Sequence, residues 1–194
     1  KILKDKNKGK KNNLKKKYNF TNLFAYTYET MIKEISKEKD YPVYQIKCPK
    51  TEADDIIATI CMYYKKKNSK QNIIIVSGDD DFTQLGRPNV SILKYRKKKI
   101  ITFDEEESKE KLRLKIIMGD KSDNIPSIFP KSRKEVSLKI RKEIKESEEL
   151  MNIHFKNFKQ LKENYNLNKK LIDFKKIPEK IKTPILAKFK KIKI

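Results

Sequence analysis

The chain of 194 residues is poor in the residue types from which many specialised sites are built: one histidine, two cysteines and four glycines. The single histidine, His154, lies in a highly charged stretch of helical pattern. Neither a Ser–His nor a Cys–His pair for covalent catalysis is expected from it. Cys48 and Cys61 stand in unrelated contexts without metal-type spacing, and they read as free thiols in a reducing compartment. So few glycines leave no glycine-rich phosphate loop, and no internal repeat is visible. No apolar run approaches the roughly 18 residues needed to span a bilayer, so no membrane partner is expected. The lysine-rich start has no apolar stretch behind it and does not read as a signal peptide. The expected location is cytoplasmic, in the host cell if the gene belongs to a phage. Arginine is scarce as well: Arg87, Arg96, Arg113, Arg133 and Arg141 are the five among 49 basic residues.

What is abundant is lysine. The formal charge is +23, from 49 Lys and Arg against 26 Asp and Glu. Such an excess points to a polyanion, because each phosphate neutralised releases counterions. The lysine, asparagine and isoleucine bias also reads as the mark of an AT-rich genome, which discounts the charge argument. Hydrophobic residues make up 37% of the chain, and they recur in helix and strand patterns after about Thr21, which argues against wholesale disorder. The first residue is Lys1 rather than Met, so the sequence is expected to begin inside a longer protein.

Lys1 to Lys17 reads as a mobile basic arm or the stub of a longer element. Thr21 reads as an N-cap, with Phe24, Tyr28, Met31 and Ile35 at helical spacing to about Lys37. Val43–Ile46 is strand-like. Thr51 is expected to cap a second helix whose Ile56, Ile57, Ile60, Cys61 and Tyr64 face inward. Asn72–Val76 is a short continuous apolar run ending in Ser77–Gly78, the pattern of a buried strand in a parallel sheet. Val90–Lys94 and Lys99–Thr102 read as two short strands around a basic turn. Asp104–Met118 is helical with acids in its first turn, as the helix dipole prefers. From Lys131 the chain is helical, with breaks near Pro178 and Pro184. The fold class is therefore α/β: a parallel-sheet core with helices on both faces and a helical C-terminal part. The expected division is a basic arm over 1–20, the α/β core over 21–125 and a helical nucleic-acid-binding part over 126–194.

The chemistry concentrates in three acidic segments. Glu52, Asp54 and Asp55 open a helix, where acids are also ordinary dipole partners. Asp79, Asp80 and Asp81 follow directly on the apolar strand, and ligands in open parallel sheets bind outside the carboxyl ends of strands. Like charges 4 Å apart at an effective dielectric of about 20 cost roughly 4 kcal/mol. Divalent cations are the usual remedy, and carboxylates suit magnesium or manganese; a solvated turn is the blander reading. Asp120 and Asp123 flank a tight turn at a helix end, where capping and turn chemistry is the alternative. Taken together, carboxylates from three segments of one sheet edge in a basic protein fit two-metal phosphodiester hydrolysis. Lysines outside the site would hold the strand through its phosphates.

At these clusters the sequence resembles the flap endonuclease family of 5′-nucleases, above all its phage members of the ribonuclease H and 5′-3′ exonuclease type. The stretches that carry the resemblance are TEADDIIA (51–58), IIIVSGDDDFTQL (73–85) and IIMGDKSDNIPS (116–127). The last is the most specific, the family reading G-D-x-S-D-N-I-P there. A weaker likeness runs through NKKLIDFKKIPEKI (168–181). The resemblance implies a PIN-like nuclease core, two magnesium or manganese ions, and removal of RNA primers or flaps from 5′ ends. It places Glu52, Asp54, Asp79 and the neighbouring Asp55 at the tighter metal site and Asp81, Asp120 and Asp123 at the second. Glu52, Asp54, Asp79 and Asp81 are the implied catalytic set. Nucleic-acid contacts are implied for Lys6, Lys8 and Lys10, which look like the family's basic arch, and for Lys121, Ser122 and Lys131. Implied partners are branched or nicked DNA or an RNA–DNA hybrid, a replication clamp or single-strand binding protein besides, and the chain is expected to be monomeric.

The departures are specific. The family's opening strand with a metal-binding Asp, and a second Asp ahead of the arch, are not found in this sequence. Asp80 stands where the family usually has glycine, either adding a ligand or tilting the turn. Ser127–Ser132 replaces a glycine-containing hairpin, so potassium binding of the family type is not expected. Two other readings compete: a small PIN-type ribonuclease, opposed by the long C-terminal region and the GDKSDN turn, and a catalytically inactive basic DNA-binding fragment, opposed by the seven acids.

Overall fold

The computed structural model describes residues 20–37, 42–67, 70–132 and 135–192. The chain divides into two compact units, Lys1–Lys47 and Cys48–Ile194.

In the first unit, α1 (Phe20–Tyr26) runs into a π-helical stretch (Thr27–Met31) and then α2 (Ile32–Ile35). Thr21 lies inside α1 rather than capping it. The π stretch begins at Thr27, whose hydroxyl donates to the Leu23 carbonyl at 2.8 Å; such back-bonding loosens the main-chain ladder. Val43–Ile46 forms no strand among the described residues. Its Val43 and Tyr44 side chains are exposed, so the alternation buries no face and gives a sheet nothing to gain.

The second unit is mixed α/β. Its sheet has the order β1 (Ile73–Val76), β2 (Val90–Lys94), β3 (Lys99–Thr102). β1 pairs parallel with β2 in the register Ile73 opposite Val90, and β2 pairs antiparallel with β3. The three strands stand where their apolar runs placed them, with one correction. Among the described residues β1 is an edge strand: Ile75 is buried, but Ile74 and Val76 are exposed. An unbroken apolar run cannot by itself report whether one face of a strand is covered or both.

α3 (Ala53–Lys66) and α4 (Glu105–Met118) flank this sheet in sequence. Thr51 does not cap α3. Its hydroxyl turns back to the Pro49 carbonyl at 3.2 Å, and Glu52 takes the N-cap position. α4 starts as expected, with Asp104 accepting the Glu107 amide at 2.7 Å. Cys61, Ile75, Phe82, Val90, Ile92 and Phe103 form one core. A second core joins the end of α4 (Ile117) to Ile128, Val136 and the helices α5 (Leu138–Glu146), α6 (Glu148–Asn157) and α7 (Lys159–Ile172). α4 contributes Ile117 to this second core and also packs against the 3₁₀ turn Asp81–Leu85. The buried Asn168 amide ties the C-terminal helices to it, donating to the carbonyls of Ile116 at 3.0 Å and Pro126 at 2.8 Å. After a 3₁₀ turn (Phe174–Lys176), α8 (Glu179–Phe189) packs on α3, with the Phe189 ring edge-on to Tyr63 and Tyr64. Pro178 stands at its N-cap, but Pro184 lies inside α8 and does not break it. A proline forfeits one intrahelical bond, and here burial of Ile185 and Phe189 in the same helix offsets the loss.

Candidate metal centre

The acids converge where three local devices end. At the start of α3, the extended Glu52 (φ −80°, ψ 158°) hands over to the first helical turn. Asp54 and Asp55 follow in that turn, half-buried. At the carboxyl end of β1 the chain turns through Ser77–Asp80 into a 3₁₀ turn (Asp81–Leu85) anchored by the fully buried Phe82. The turn is stitched internally: Ser77 Oγ accepts the Asp79 amide at 3.0 Å, and Asp79 Oδ1 accepts the Asp81 amide at 2.8 Å. At the end of α4, Asp120 and Ile125 exchange both backbone bonds, at 2.9 and 2.7 Å, closing a loop that carries Asp123. Two unusual backbone positions permit that loop, Gly119 at φ 72° and Asn124 at φ 59°. A side chain on Gly119 would collide with the carbonyls of Ile125 and Pro126.

These devices bring Asp81, Asp120 and Asp123 together, each offering an oxygen within 4.8 Å of the other two. Glu52, Asp54, Asp55, Asp81 and Asp123 line one cavity of about 170 Å³, closed on its other side by the 170–178 segment. Burial, and then the negative charges of Asp79, Glu52, Asp55 and Asp123, push the Asp54 carboxyl above its usual range. That pressure is the electrostatic signature of carboxylates held close without a counter-cation. The donor set, all oxygen and dense in negative charge, fits hard divalent cations such as magnesium or manganese. Asp81, Asp120 and Asp123 could hold one such ion.

Two lysines complete the site, and sequence pattern pointed to neither. Lys115, on α4, sets its ammonium against Asp81 and, at 2.8 Å, against Asp120. Together with the hydroxyl and amide of Ser122 it holds the Asp120 carboxyl far below the usual range. Lys94, at the end of β2, is buried. Its ammonium donates to the carbonyls of Gly78 at 3.2 Å and Asp79 at 2.6 Å and pairs with Asp80 at 2.8 Å. Lys94 therefore clamps the acidic turn from beneath and lowers the Asp80 carboxyl, chiefly by this hydrogen bond. Asp80 is thus engaged by Lys94, not by the other acids. The only sequence signal for Lys94 was a basic residue at the inward register of a strand otherwise apolar at that register. Lys115 lies five residues before Asp120 in a helix rich in lysine and carried no signal of its own.

Of the remaining candidates, Lys121 and Lys131 are exposed, while Ser122 is committed to Asp120. Lys6, Lys8 and Lys10 lie outside the described residues.

Residues 25–113 match the family model of the 5′-3′ exonuclease N-terminal, resolvase-like domain. Over that stretch the chain is similar to the 5′-3′ exonuclease family. Relatives agree. The chain is 37% identical over 83 residues to a 5′-3′ exonuclease of Buchnera aphidicola, covering 40% of this chain and 28% of that one. It is 35% identical over 107 residues to the ribonuclease H of Enterobacteria phage T4, covering 54% and 34%. It is 34% identical over 110 residues to DNA polymerase I of Bacillus caldotenax, covering 50% and 12%. The chain thus spans between 12% and 34% of the length of these relatives. Among solved structures, the bacteriophage T5 D15 flap endonuclease in a pseudo-enzyme-product complex with DNA and metal ions superposes with a TM-score of 0.52. The identity is 17%, over 81% of this chain and 64% of that one. A T5 5′-exonuclease mutant gives 0.51 at 18% identity, over 78% and 69%. These two establish the fold: that of the 5′-nucleases.

No helix among the described residues is long and apolar enough to cross a membrane.

Proposed function

We propose that this protein is a metal-dependent 5′-nuclease, hydrolysing phosphodiester bonds at the 5′ ends of branched or nicked DNA or of RNA paired to DNA, in replication or repair. The observation that carries the reading is the meeting of Asp81, Asp120 and Asp123 with oxygens within 4.8 Å of one another, beside an Asp54 whose proton affinity is raised by burial and then by four neighbouring acids. Divalent magnesium or manganese, when bound, supplies Lewis acidity to the attacking water and to the leaving oxygen. Asp81, Asp120 and Asp123 hold one ion; Glu52, Asp54, Asp55 and Asp79 hold the other. Lys94 fixes the turn that carries three of the acids, so their geometry exists before substrate arrives. Lys121, within the Asp120–Ile125 loop, and Lys131 are proposed to contact phosphates, as are Lys6, Lys8 and Lys10 of the N-terminal segment. In this reading residues 21–125 carry the chemistry and 126–194 grip the nucleic acid.

The test is cleavage of a 5′-labelled flap DNA in magnesium. Asp81→Ala is expected to lower the rate by at least a hundredfold, on the order of the loss seen when a transition-state charge stabiliser is removed, with duplex affinity nearly kept. Product formation insensitive to chelator, or unchanged in Asp81→Ala, would sink the assignment.

A further inference from the structure

A second cavity, of about 90 Å³, lies away from the acids, between α3, α4 and the two 3₁₀ turns Asp81–Leu85 and Phe174–Lys176. Arg87 lines it and is 6% exposed. One guanidinium nitrogen, Nη2, reaches the Cys61 carbonyl at a long 3.4 Å, and Nε has no partner. No carboxylate pairs with Arg87 among the described residues. Ser108, 3% exposed on α4, lines the same cavity with its hydroxyl equally unpartnered. Lys65, Lys109 and Lys175 stand around them. Of the two acids in the lining, Glu105 pairs with Lys65 at 2.9 Å, and the buried Asp173 accepts the Lys175 amide at 2.9 Å with no cation paired to it among the described residues.

Two buried donors without acceptors, one of them a full positive charge without a counter-charge, make an arrangement that costs folding free energy unless something fills it. Water satisfies the hydrogen bonds but leaves the charge. We infer that this cavity is an anion site for a tetrahedral oxyanion, either inorganic phosphate or the terminal phosphate of a mononucleotide. Arg87 supplies charge and N–H donors and Ser108 supplies a hydroxyl donor; of the lysines, Lys65 and Lys109 are paired with Glu105 and Glu106, and Lys175 adds positive charge at the opening. The volume suits such a group. A water needs about 10–15 Å³ of such space, so a cavity of about 90 Å³ admits a group several times larger, such as a tetrahedral oxyanion. Asp173 and Phe174 line both cavities, and Gln84 joins the two walls by accepting the Phe174 amide at 3.0 Å and donating to the Ile172 carbonyl at 3.1 Å. The anion site therefore sits behind the segment that closes the acidic centre. It does not depend on the nuclease reading.

The test follows the thermal midpoint of the metal-free protein as phosphate replaces chloride at constant ionic strength. A saturable rise is expected in the wild type, because a ligand bound only by the folded state stabilises it by mass action. Arg87→Met should abolish the rise and Ser108→Ala should weaken it. Adenosine monophosphate forms a second arm: a response to phosphate alone assigns the free ion, a response to both assigns a shared phosphate pocket, and a response to neither overturns the proposal. A phosphate response retained in Arg87→Met also overturns it, since surface lysines would then be the cause. Should Arg87→Met fail to fold, crystals of the wild type soaked in selenate decide the matter. Anomalous density within hydrogen-bond reach of Arg87 and Ser108 is expected, and ordered water alone there refutes the site.

Discussion

Lys115 presents its ammonium to two of the three carboxylates that approach most closely. In the metal-free protein that charge offsets repulsion; with a divalent ion nearby it is the partner to be rearranged. Lys115→Met is therefore expected to destabilise the metal-free protein by about 1 kcal/mol, a value kept small because the pair is partly exposed. Magnesium should restore most of that loss, since the added ion supplies the missing charge. Urea unfolding with and without magnesium reads both, and a deficit that magnesium leaves untouched would show that Lys115 acts through packing alone. At the same scale, Lys94 was hidden in the sequence. A lysine in a strand ordinarily marks a solvated edge, whereas this one is buried and satisfied by two carbonyls and Asp80. Only the fold of the 77–81 turn around it made a buried ammonium affordable.

At the scale of elements, the Gly119–Ile125 loop and the α4–α5 junction carry testable loads. Gly119→Ala places a side chain at φ 72° against two carbonyls. With ψ at −175° this is a backbone region open essentially only to glycine; the strain alone is about 1–3 kcal/mol, so the total is expected to exceed roughly 2 kcal/mol, with weakened magnesium binding because Asp120 and Asp123 move with the loop. Calorimetry of magnesium binding in the folded fraction checks the second part. At the junction, the buried Arg113 donates to both oxygens of Glu110, at 2.8 and 2.6 Å, and to the carbonyls of Ile144 at 2.9 Å and Lys145 at 2.5 Å. The hydrogen bonds from Arg113 hold the Glu110 carboxyl below its ordinary 4.5. A depressed folded pKa gives stability that is fully present above the unfolded value and is lost as pH falls through the folded one. Wild type should therefore lose stability below about pH 4.5 relative to Glu110→Gln, which forfeits roughly 1 kcal/mol at neutral pH and shows a flatter acid limb. The figure is discounted because Glu110 is half exposed. Parallel acid titrations of the two proteins would refute the pairing.

At the scale of the whole molecule, a charge of +23 predicts that duplex binding weakens steeply with salt. The logarithm of affinity should fall with the logarithm of salt concentration with a slope of about −0.9 per phosphate contacted. Lys131→Ala should reduce that slope by about one unit if Lys131 meets a phosphate; an unchanged slope removes it from the interface. The α/β class, the strands Val90–Lys94 and Lys99–Thr102, the helix to Met118 and the three acidic clusters were all legible in the linear chain. Each depends on local periodicity or on charge density, which sequence displays directly. Thr21 and Thr51 were misread because a hydroxyl beside a helix start has several carbonyls and amides to choose from. The break expected at Pro184 did not occur because packing outweighed propensity.

By itself, then, the sequence determined which segments form elements and where acid accumulates, since both follow from the residues nearest in the chain. Only tertiary structure decided which acids meet: Asp81, Asp120 and Asp123 join because α4 packs against the turn after β1 and ends beside it. It also decided which cations are spent internally, Lys94 and Lys115 on carboxylates and carbonyls, and that Arg87 is buried with no carboxylate paired to it among the described residues. Electrostatic pairing depends on distance through space, and distance through space is what a linear sequence does not contain.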